Sequence, residues 1–121
     1  MAQFRYIVDD VDQAVAFYAG KLGFTLAQQF GPAMAILSKD DLELWLAGPP
    51  ASASKPMPDG SKPVPGGWNR IVVIVENLKD LSDALRADDV VFRNDIVEGP
   101  GGKQVLCADP SGNVVELFEP M

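Results

Sequence analysis

The stretch that decides the fold is DPSGNVVELFEP, residues 109–120. Its first five residues predict a tight turn, because Pro110 fixes φ at the first central position and Gly112 can take a positive φ. The run from Val114 to Phe118 is short, apolar and β-branched at its start, which is typical of a strand. In its middle stands Glu116. A carboxylate among apolar neighbours is costly to bury alone, so we expect Glu116 to have a partner.

One order of predicted elements, β-α-β-β-β, occurs twice along the chain. The first copy has a strand over residues 3–9, a helix from an Asp10 cap to a Gly23 stop, and strands over residues 24–30, 33–38 and 42–47. The second copy has a strand over residues 69–76, a helix that begins at Asn77, and strands over residues 90–97, 103–108 and 113–118. The pattern therefore predicts two similar modules.

The two copies also match in sequence. Residues 7–11, IVDDV, correspond to residues 74–78, IVENL, and Glu43-Leu44-Trp45 corresponds to Glu116-Leu117-Phe118. An internal repeat of about 55 residues is an architecture signal, and one such unit is too small to bury both faces of its sheet. We therefore expect a single α+β domain over residues 1–121, with module 1 at 1–48, a loop at 49–67 and module 2 at 68–121.

The segment between the modules has a different composition. Residues 48–67 hold six of the ten prolines and four of the eleven glycines. Such a segment has no apolar periodicity and indicates a loop. A loop of this length inside a compact domain is either a flap over a binding site or a flexible connector. The sequence leaves both open.

Charge and composition exclude several classes of partner. With 17 acidic and 10 basic residues the net charge is −7, which argues against nucleic acid and anionic membranes. No apolar run reaches the roughly 18 residues of a membrane span, and no signal-peptide pattern is visible, so we expect a cytoplasmic protein. The lone Cys107 lies in a predicted strand and is interpreted as inert core rather than as a reactive thiol.

The chain contains no histidine. This removes Ser-His and Cys-His nucleophile systems and imidazole bases. It also removes the usual nitrogen ligands for zinc, iron and nickel. Any metal site would have to use carboxylates, amides and water.

Two local patterns carry a resemblance to a known superfamily. The first is VDDVD at residues 8–12, followed by Phe17-Tyr18 and by KLGF at residues 21–24, and the second is DPSGNVVEL at residues 109–117. With the paired β-α-β-β-β modules, they resemble the vicinal oxygen chelate superfamily of glyoxalase I, extradiol dioxygenases and the fosfomycin and bleomycin resistance proteins. The resemblance implies a glyoxalase/bleomycin-resistance-like fold of curved mixed sheets with a concave cup. It also implies a homodimer.

The resemblance further implies where a site would lie. In metal-dependent members the ligands come from the first and last strands of the modules, positions that correspond here to Gln3, Glu43, Arg70 and Glu116. Two of these are neither carboxylate nor imidazole, so we expect Arg70 to pair with Glu116 or Glu43 and to replace the metal. Arg5, on the strand face of Gln3, is a second candidate for that role. The predicted ligand-binding residues are Gln3, Arg5, Ile7, Trp45, Trp68, Arg70, Val72 and Phe118, with no metal and no cofactor.

The sequence leaves three binding or catalytic functions open, beside a role in which the fold only forms an interface with a partner. The first is metal-free sequestration of a small aromatic or cationic molecule in a cup lined by aromatic residues. The second is a lyase or dioxygenase that uses Glu43, Glu116, Gln3 and water to hold a hard cation. The third is a metal-free isomerase in which Glu116 or Glu43 is the catalytic base. A base needs a raised pKa, which a neighbouring arginine opposes.

Overall fold

The computed structural model describes residues 1–121 as two compact units, Met1–Gly66 and Gly67–Met121. Each unit contains one α-helix and one four-stranded mixed sheet. The chain order in both is β-α-β-β-β. The predicted α+β fold of two tandem βαβββ modules is therefore confirmed.

The first unit has the strand order β1-β4-β3-β2. Its elements are β1 (Ala2–Ile7), α1 (Val11–Leu22), β2 (Thr25–Phe30), β3 (Met34–Lys39) and β4 (Leu42–Ala47). Strand β1 is parallel to β4, and the other pairs are antiparallel. A short 3-10 helix, Ser52–Ser54, follows within the proline-rich segment.

The second unit repeats this topology as β5-β8-β7-β6. Its elements are β5 (Ile71–Ile74), α2 (Leu78–Ala87), β6 (Val97–Gly99), β7 (Gly102–Ala108) and β8 (Val114–Pro120). Strand β5 is parallel to β8, and β8-β7 and β7-β6 are antiparallel. No helix of the chain is long and apolar enough to cross a membrane.

Both helices begin where the sequence predicts, and α1 also ends at the predicted residue. The Asp10 carboxylate accepts the N–H of Gln13 at 3.0 Å, and the Asn77 side chain accepts the N–H of Asp80 at 3.2 Å. These bonds satisfy backbone donors that a helix start otherwise leaves free. Gly23 ends α1 with φ at 77°, a left-handed conformation that suits glycine.

Each helix packs on one face of its own sheet. We call the opposite face, which this helix does not cover, the open face. The residues on the helix side of the strands are almost fully buried; they include Leu37, Leu44, Leu46, Val105, Val115 and Leu117. Burial of each such side chain contributes about 1.5–3 kcal/mol relative to exposure. The alternate residues point to the open face, and these are the residues from which the sequence predicts a site.

One predicted strand is wrong. Residues 90–97 do not form a continuous strand, because only Phe92 makes an isolated bridge, to Cys107. The side chain of Asn94 then accepts the backbone N–H of Leu106 at 2.9 Å. A side chain thus takes the place of a backbone partner, and regular pairing resumes only in β6 at Val97–Gly99.

The predicted turn before β8 is present and is locked by Asp109. The Gly112 N–H donates to the Asp109 carbonyl at 2.9 Å, and Gly112 has φ at 87°. The buried Asp109 carboxylate accepts the backbone N–H groups of Ser111 and Asn113, both at 2.9 Å. This turn sets the start of β8, the strand that carries Glu116.

Candidate functional site

In the second unit the partner of Glu116 is Arg70. The guanidinium donates from Nε at 3.1 Å and from Nη2 at 3.0 Å to the same oxygen, Oε1 of Glu116. The Glu116 side chain is 11% exposed and that of Arg70 is 29% exposed. The pair expected from the sequence is therefore present, and the carboxylate charge is compensated within the chain.

Apolar side chains surround this ion pair on the open face of the second sheet. Val72 is opposite Glu116, and Ile74 is opposite Phe118 in the parallel pairing of β5 with β8. Val72 and Ile74 are about half exposed, at 47% and 53%. The face is therefore an apolar surface with one neutralised charge pair.

The third strand of this face was not predicted to contribute. In β7, Leu106 is opposite Glu116, and Gln104 is opposite Phe118. The predicted residues lie on or next to the first and last strands of each module, although counting back along the chain from the turn at residues 109–113 gives the register of β7. Leu106 and Gln104 therefore belong with the candidate residues.

Trp68 lies just before β5 rather than on a strand, and it is 68% exposed. The guanidinium of Arg93 lies 4.7 Å from the centre of its ring, and Arg93 Nη2 donates to the carbonyl of Gly112 at 3.3 Å. The guanidinium therefore makes a cation–π contact with one face of an exposed indole. No sequence signal pairs residues 68 and 93, and Arg93 was missed.

In the first unit the candidate residues form cross-strand pairs between β1 and β4. Gln3 is opposite Glu43, and Arg5 is opposite Trp45. Ile7 is next along the same face of β1, is half-buried, and is opposite Ala47. The parallel register therefore brings these predicted residues together on one open face.

Trp45 is the centre of this face. Its indole Nε1 donates to Oε1 of Glu43 at 2.7 Å, and the guanidinium of Arg5 lies 5.1 Å from the ring centre. Glu43 forms no ion pair, in contrast to Glu116. Strand β3 adds Ile36 opposite Trp45 and Ser38 opposite Glu43, both missed from the sequence. The open face of the first unit thus presents the indole ring of Trp45, with the Glu43 carboxylate, which has no ion-pair partner, beside it.

The residues do not fit a divalent metal site. No group of three or more His, Cys, Asp or Glu side chains comes together to hold a metal ion. A divalent site needs several oxygen or nitrogen donors with compensating negative charge. At one of the strand positions implied by the resemblance the chain instead has Arg70, whose positive charge is directed at Glu116.

The fold and these two faces define a class of protein with tandem βαβββ modules and open, partly aromatic sheet surfaces. The sequence model of the Glyoxalase/Bleomycin resistance protein/Dioxygenase superfamily matches residues 1–117. The chain belongs to this superfamily. No curated protein sequence matches it.

Several solved structures superpose over nearly the whole chain. A member of the superfamily from Sphaerobacter thermophilus is 25% identical with a TM-score of 0.77, covering 98% of this chain and 95% of that chain. An antibiotic-binding protein from a Streptomyces species is 25% identical with a TM-score of 0.73, covering 98% and 93%. A lactoylglutathione lyase from Agrobacterium tumefaciens, 20% identical with a TM-score of 0.75 and covering 98% and 92%, is similar in fold.

Proposed function

We propose that this chain is a metal-independent binding protein that sequesters a small aromatic molecule carrying a positive charge. The observation that carries the proposal is the arrangement around Trp45, whose indole is fixed by Glu43 and covered by Arg5. A fixed indole is a platform for a planar ligand, and a stacked aromatic pair contributes about 0.5–1.5 kcal/mol beyond its area.

Glu43 gives this platform a preference for cations. The Glu43 carboxylate accepts a single hydrogen bond, from Trp45 Nε1, so its remaining acceptor positions are available to a ligand ammonium group. Charge-assisted bonds of this kind are stronger than neutral ones. The net charge of −7 adds a long-range attraction for cationic molecules.

The Arg5 guanidinium lies over the Trp45 ring, but Arg5 is exposed and its side chain makes no hydrogen bond or ion pair. A cation held only by an aromatic face at an exposed site is bound by about 0.5–1 kcal/mol. A planar ligand can therefore displace Arg5 at low cost. Gln3 and Ile7 flank this position on the same strand and complete the first binding surface.

The second unit supports metal independence and adds a second binding surface. Glu116 forms an ion pair with Arg70, so the negative charge of its carboxylate is neutralised without a metal ion. We assign Val72, Phe118 and Trp68, with Arg70, to a separate apolar binding surface on this unit. The 25% identical Streptomyces protein binds an antibiotic, which is consistent with a sequestering role here.

We further propose that the chain works as a homodimer. The open face of the second sheet exposes Val72 and Ile74, and apolar surface of this kind is commonly covered by a ligand or a second subunit. The twofold arrangement is the default for a homo-oligomer. Light scattering coupled to size exclusion should give twice the 13.0 kDa mass of the chain, and a monomeric mass at micromolar concentration would contradict the dimer.

The binding proposal is tested with three probes of equal size and different charge. We expect 1-naphthylmethylammonium to shift the indole N–H signal of Trp45 in a ¹H–¹⁵N spectrum saturably, 1-naphthalenemethanol to bind more weakly, and 1-naphthoate to bind weakest. Trp45→Phe assigns the signal, because the chain has two tryptophans.

Glu43→Gln should remove the preference for the cation while leaving neutral binding intact. The matched control is Glu98→Gln, which removes one negative charge from an exposed residue. If the anion binds as tightly as the cation, or if both variants lose the preference equally, Glu43 does not recognise the charge and the proposal fails.

A further inference from the structure

The proline-rich segment after β4 is folded against its own unit. The buried Ser54 hydroxyl donates to the Gly48 carbonyl at 2.8 Å. Further along, the Met57 N–H donates to the Ser61 carbonyl at 2.7 Å, and the Asp59 carboxylate accepts the N–H of Ser61 at 2.9 Å. Two sets of hydrogen bonds and several fixed proline φ angles therefore hold this segment in a defined shape.

A crevice of about 140 Å³ lies where this segment meets the end of β1. Six of its nine lining residues are apolar: Ile7, Val8, Pro49, Pro63, Val64 and Pro65. The other three are Asp9, Ser54 and Lys62. For comparison, an engineered apolar cavity of about 150 Å³ binds benzene, so the crevice has the volume and the surface for one ring.

We propose that this crevice is a subsite for a neutral, ring-sized apolar group of the ligand. The inference deepens the proposed function and rests on it. Ile7 is the connection, because it lines the crevice and also follows Arg5 on the open face of β1. Residues two apart on a strand are about 7 Å apart, so one ligand can cover Trp45 and extend its apolar group into the crevice.

The preformed wall explains why an apolar group gains by entering. A proline wall loses little conformational freedom on binding, so burial of the ring is not offset by ordering of the protein. The contact replaces water against Ile7 and the prolines, which favours an apolar group over a charged one. The crevice thus selects for a hydrophobic substituent next to the charged part that Glu43 recognises.

The test uses benzyl alcohol, a neutral single-ring probe, and the methyl signals of a ¹³C-labelled sample. We expect saturable shifts of the Ile7 and Val8 methyl groups with a dissociation constant of about a millimolar. Intermolecular NOEs should run from the ring protons to the same methyl groups. Shifts that do not saturate, or NOEs that run to other apolar residues only, would overturn the subsite.

A variant that narrows the mouth gives the second readout. Val64 lines the crevice and is 72% exposed, so Val64→Phe adds bulk at the mouth without disturbing the core. We expect it to raise the dissociation constant by about ten-fold. The control is Val91→Phe, at a valine that is 65% exposed and does not line the crevice; it should leave the constant unchanged, and an equal effect of both variants would overturn the proposal.

The outcome is separable from that of the proposed function. Trp45→Phe and Glu43→Gln alter the charged platform, whereas benzyl alcohol is read at Ile7 and Val8. If the naphthyl probes fail at Trp45 but benzyl alcohol binds in the crevice, the platform is wrong and the crevice is an independent apolar site. If the platform binds and the crevice does not, only the subsite is refuted.

Discussion

Arg70 and Glu116 are 46 residues apart in the chain, yet two nitrogens of the guanidinium donate to one carboxylate oxygen, at 3.1 and 3.0 Å. The pair joins the approach to β5 with the centre of β8. Because Glu116 is nearly buried, its desolvation is offset only while the arginine is present. The stability of the second sheet should therefore depend on the ion pair between Arg70 and Glu116.

Removal of the arginine should destabilise the protein. Arg70→Met leaves the Glu116 carboxylate buried without its cation, and we expect a loss of about 2 kcal/mol in the free energy of unfolding. Urea unfolding followed by circular dichroism measures this loss. Arg70→Met combined with Glu116→Leu should recover most of it, because both charges are then absent.

The matched control is an ion pair that should contribute little. Lys79→Ala removes the ion pair with Asp83. The Lys79 side chain is 76% exposed and that of Asp83 is 60% exposed, and exposed pairs of this kind add little stability. We therefore expect no measurable change in the urea midpoint. Equal effects of Arg70→Met and Lys79→Ala would show that Glu116 is stabilised by water rather than by Arg70.

Divalent metals should not stabilise the folded chain. A ligand that binds only the native state at 100 times its dissociation constant adds about 2.7 kcal/mol, which raises Tm by several degrees in a domain of this size. Since Arg70 already compensates Glu116, we expect no shift with Mn²⁺, Mg²⁺, Ni²⁺ or Zn²⁺. A clear shift that Glu116→Gln abolishes would contradict the metal-independent function.

Cys107 should be unreactive in the native protein. It is fully buried in β7, and burial, together with the negative charge of Asp109, raises the pKa of its thiol to about 12. The nucleophilic thiolate is therefore almost absent near neutral pH. A chromogenic disulfide reagent at pH 8 should modify the thiol only after unfolding; rapid modification of the folded chain would show that β7 opens locally.

The raised pKa of the Cys107 thiol should also make the free energy of unfolding fall as the pH rises above 9. The pKa of the thiol is near its ordinary value of 9.0 in the unfolded chain, whereas burial raises it to about 12 in the folded chain. Above pH 9 the unfolded state therefore loses a proton that the folded state retains, and the free energy of unfolding falls by up to about 1.4 kcal/mol per pH unit. The difference in stability between wild type and Cys107→Ala should show this fall between pH 9 and 12, and a flat difference would refute it.

Most of the fold could be predicted from the sequence because local signals and the internal repeat agree. Helix caps such as Asp10 and Asn77 bind a backbone N–H only three residues further along the chain. The alternation of buried and exposed residues in a strand is likewise visible without knowledge of its partner strand. The strand over residues 90–97 failed for a nonlocal reason: the Asn94 side chain binds Leu106 N, and nothing near Asn94 indicates this.

The candidate site was predictable where the repeat fixes the register. The sequence put Gln3, Arg5, Glu43 and Trp45 on one sheet face, and the parallel pairing of β1 with β4 then sets Gln3 opposite Glu43 and Arg5 opposite Trp45. The differences between the two units were not predictable. That Glu43 binds an indole whereas Glu116 binds an arginine depends on side-chain rotamers, which strand periodicity does not encode.

The turn from Asp109 to Asn113 gives the last prediction. Oδ1 of the Asp109 carboxylate accepts the N–H groups of Ser111 and Asn113 at 2.9 Å, and Oδ2 accepts Nδ2 of Asn113 at 3.0 Å. In Asp109→Asn the new amide oxygen can still accept the two backbone N–H groups. The new amide NH₂ then faces the side-chain NH₂ of Asn113, and neither can accept a hydrogen bond. Since a buried donor without an acceptor costs about 1–3 kcal/mol, we expect a loss of about 2 kcal/mol in urea unfolding.

The exchange of both residues separates this contact from the turn itself. Asp109→Asn with Asn113→Asp restores a donor facing a carboxylate, and it should recover part of the lost stability. Gly112→Ala provides a comparison, because it strains the left-handed φ of 87° without touching the carboxylate. If the double variant is no more stable than Asp109→Asn alone, the bond from Asn113 Nδ2 to Asp109 Oδ2 at 3.0 Å does not stabilise the turn. The bonds to the backbone N–H groups would then be sufficient to position β8 and Glu116.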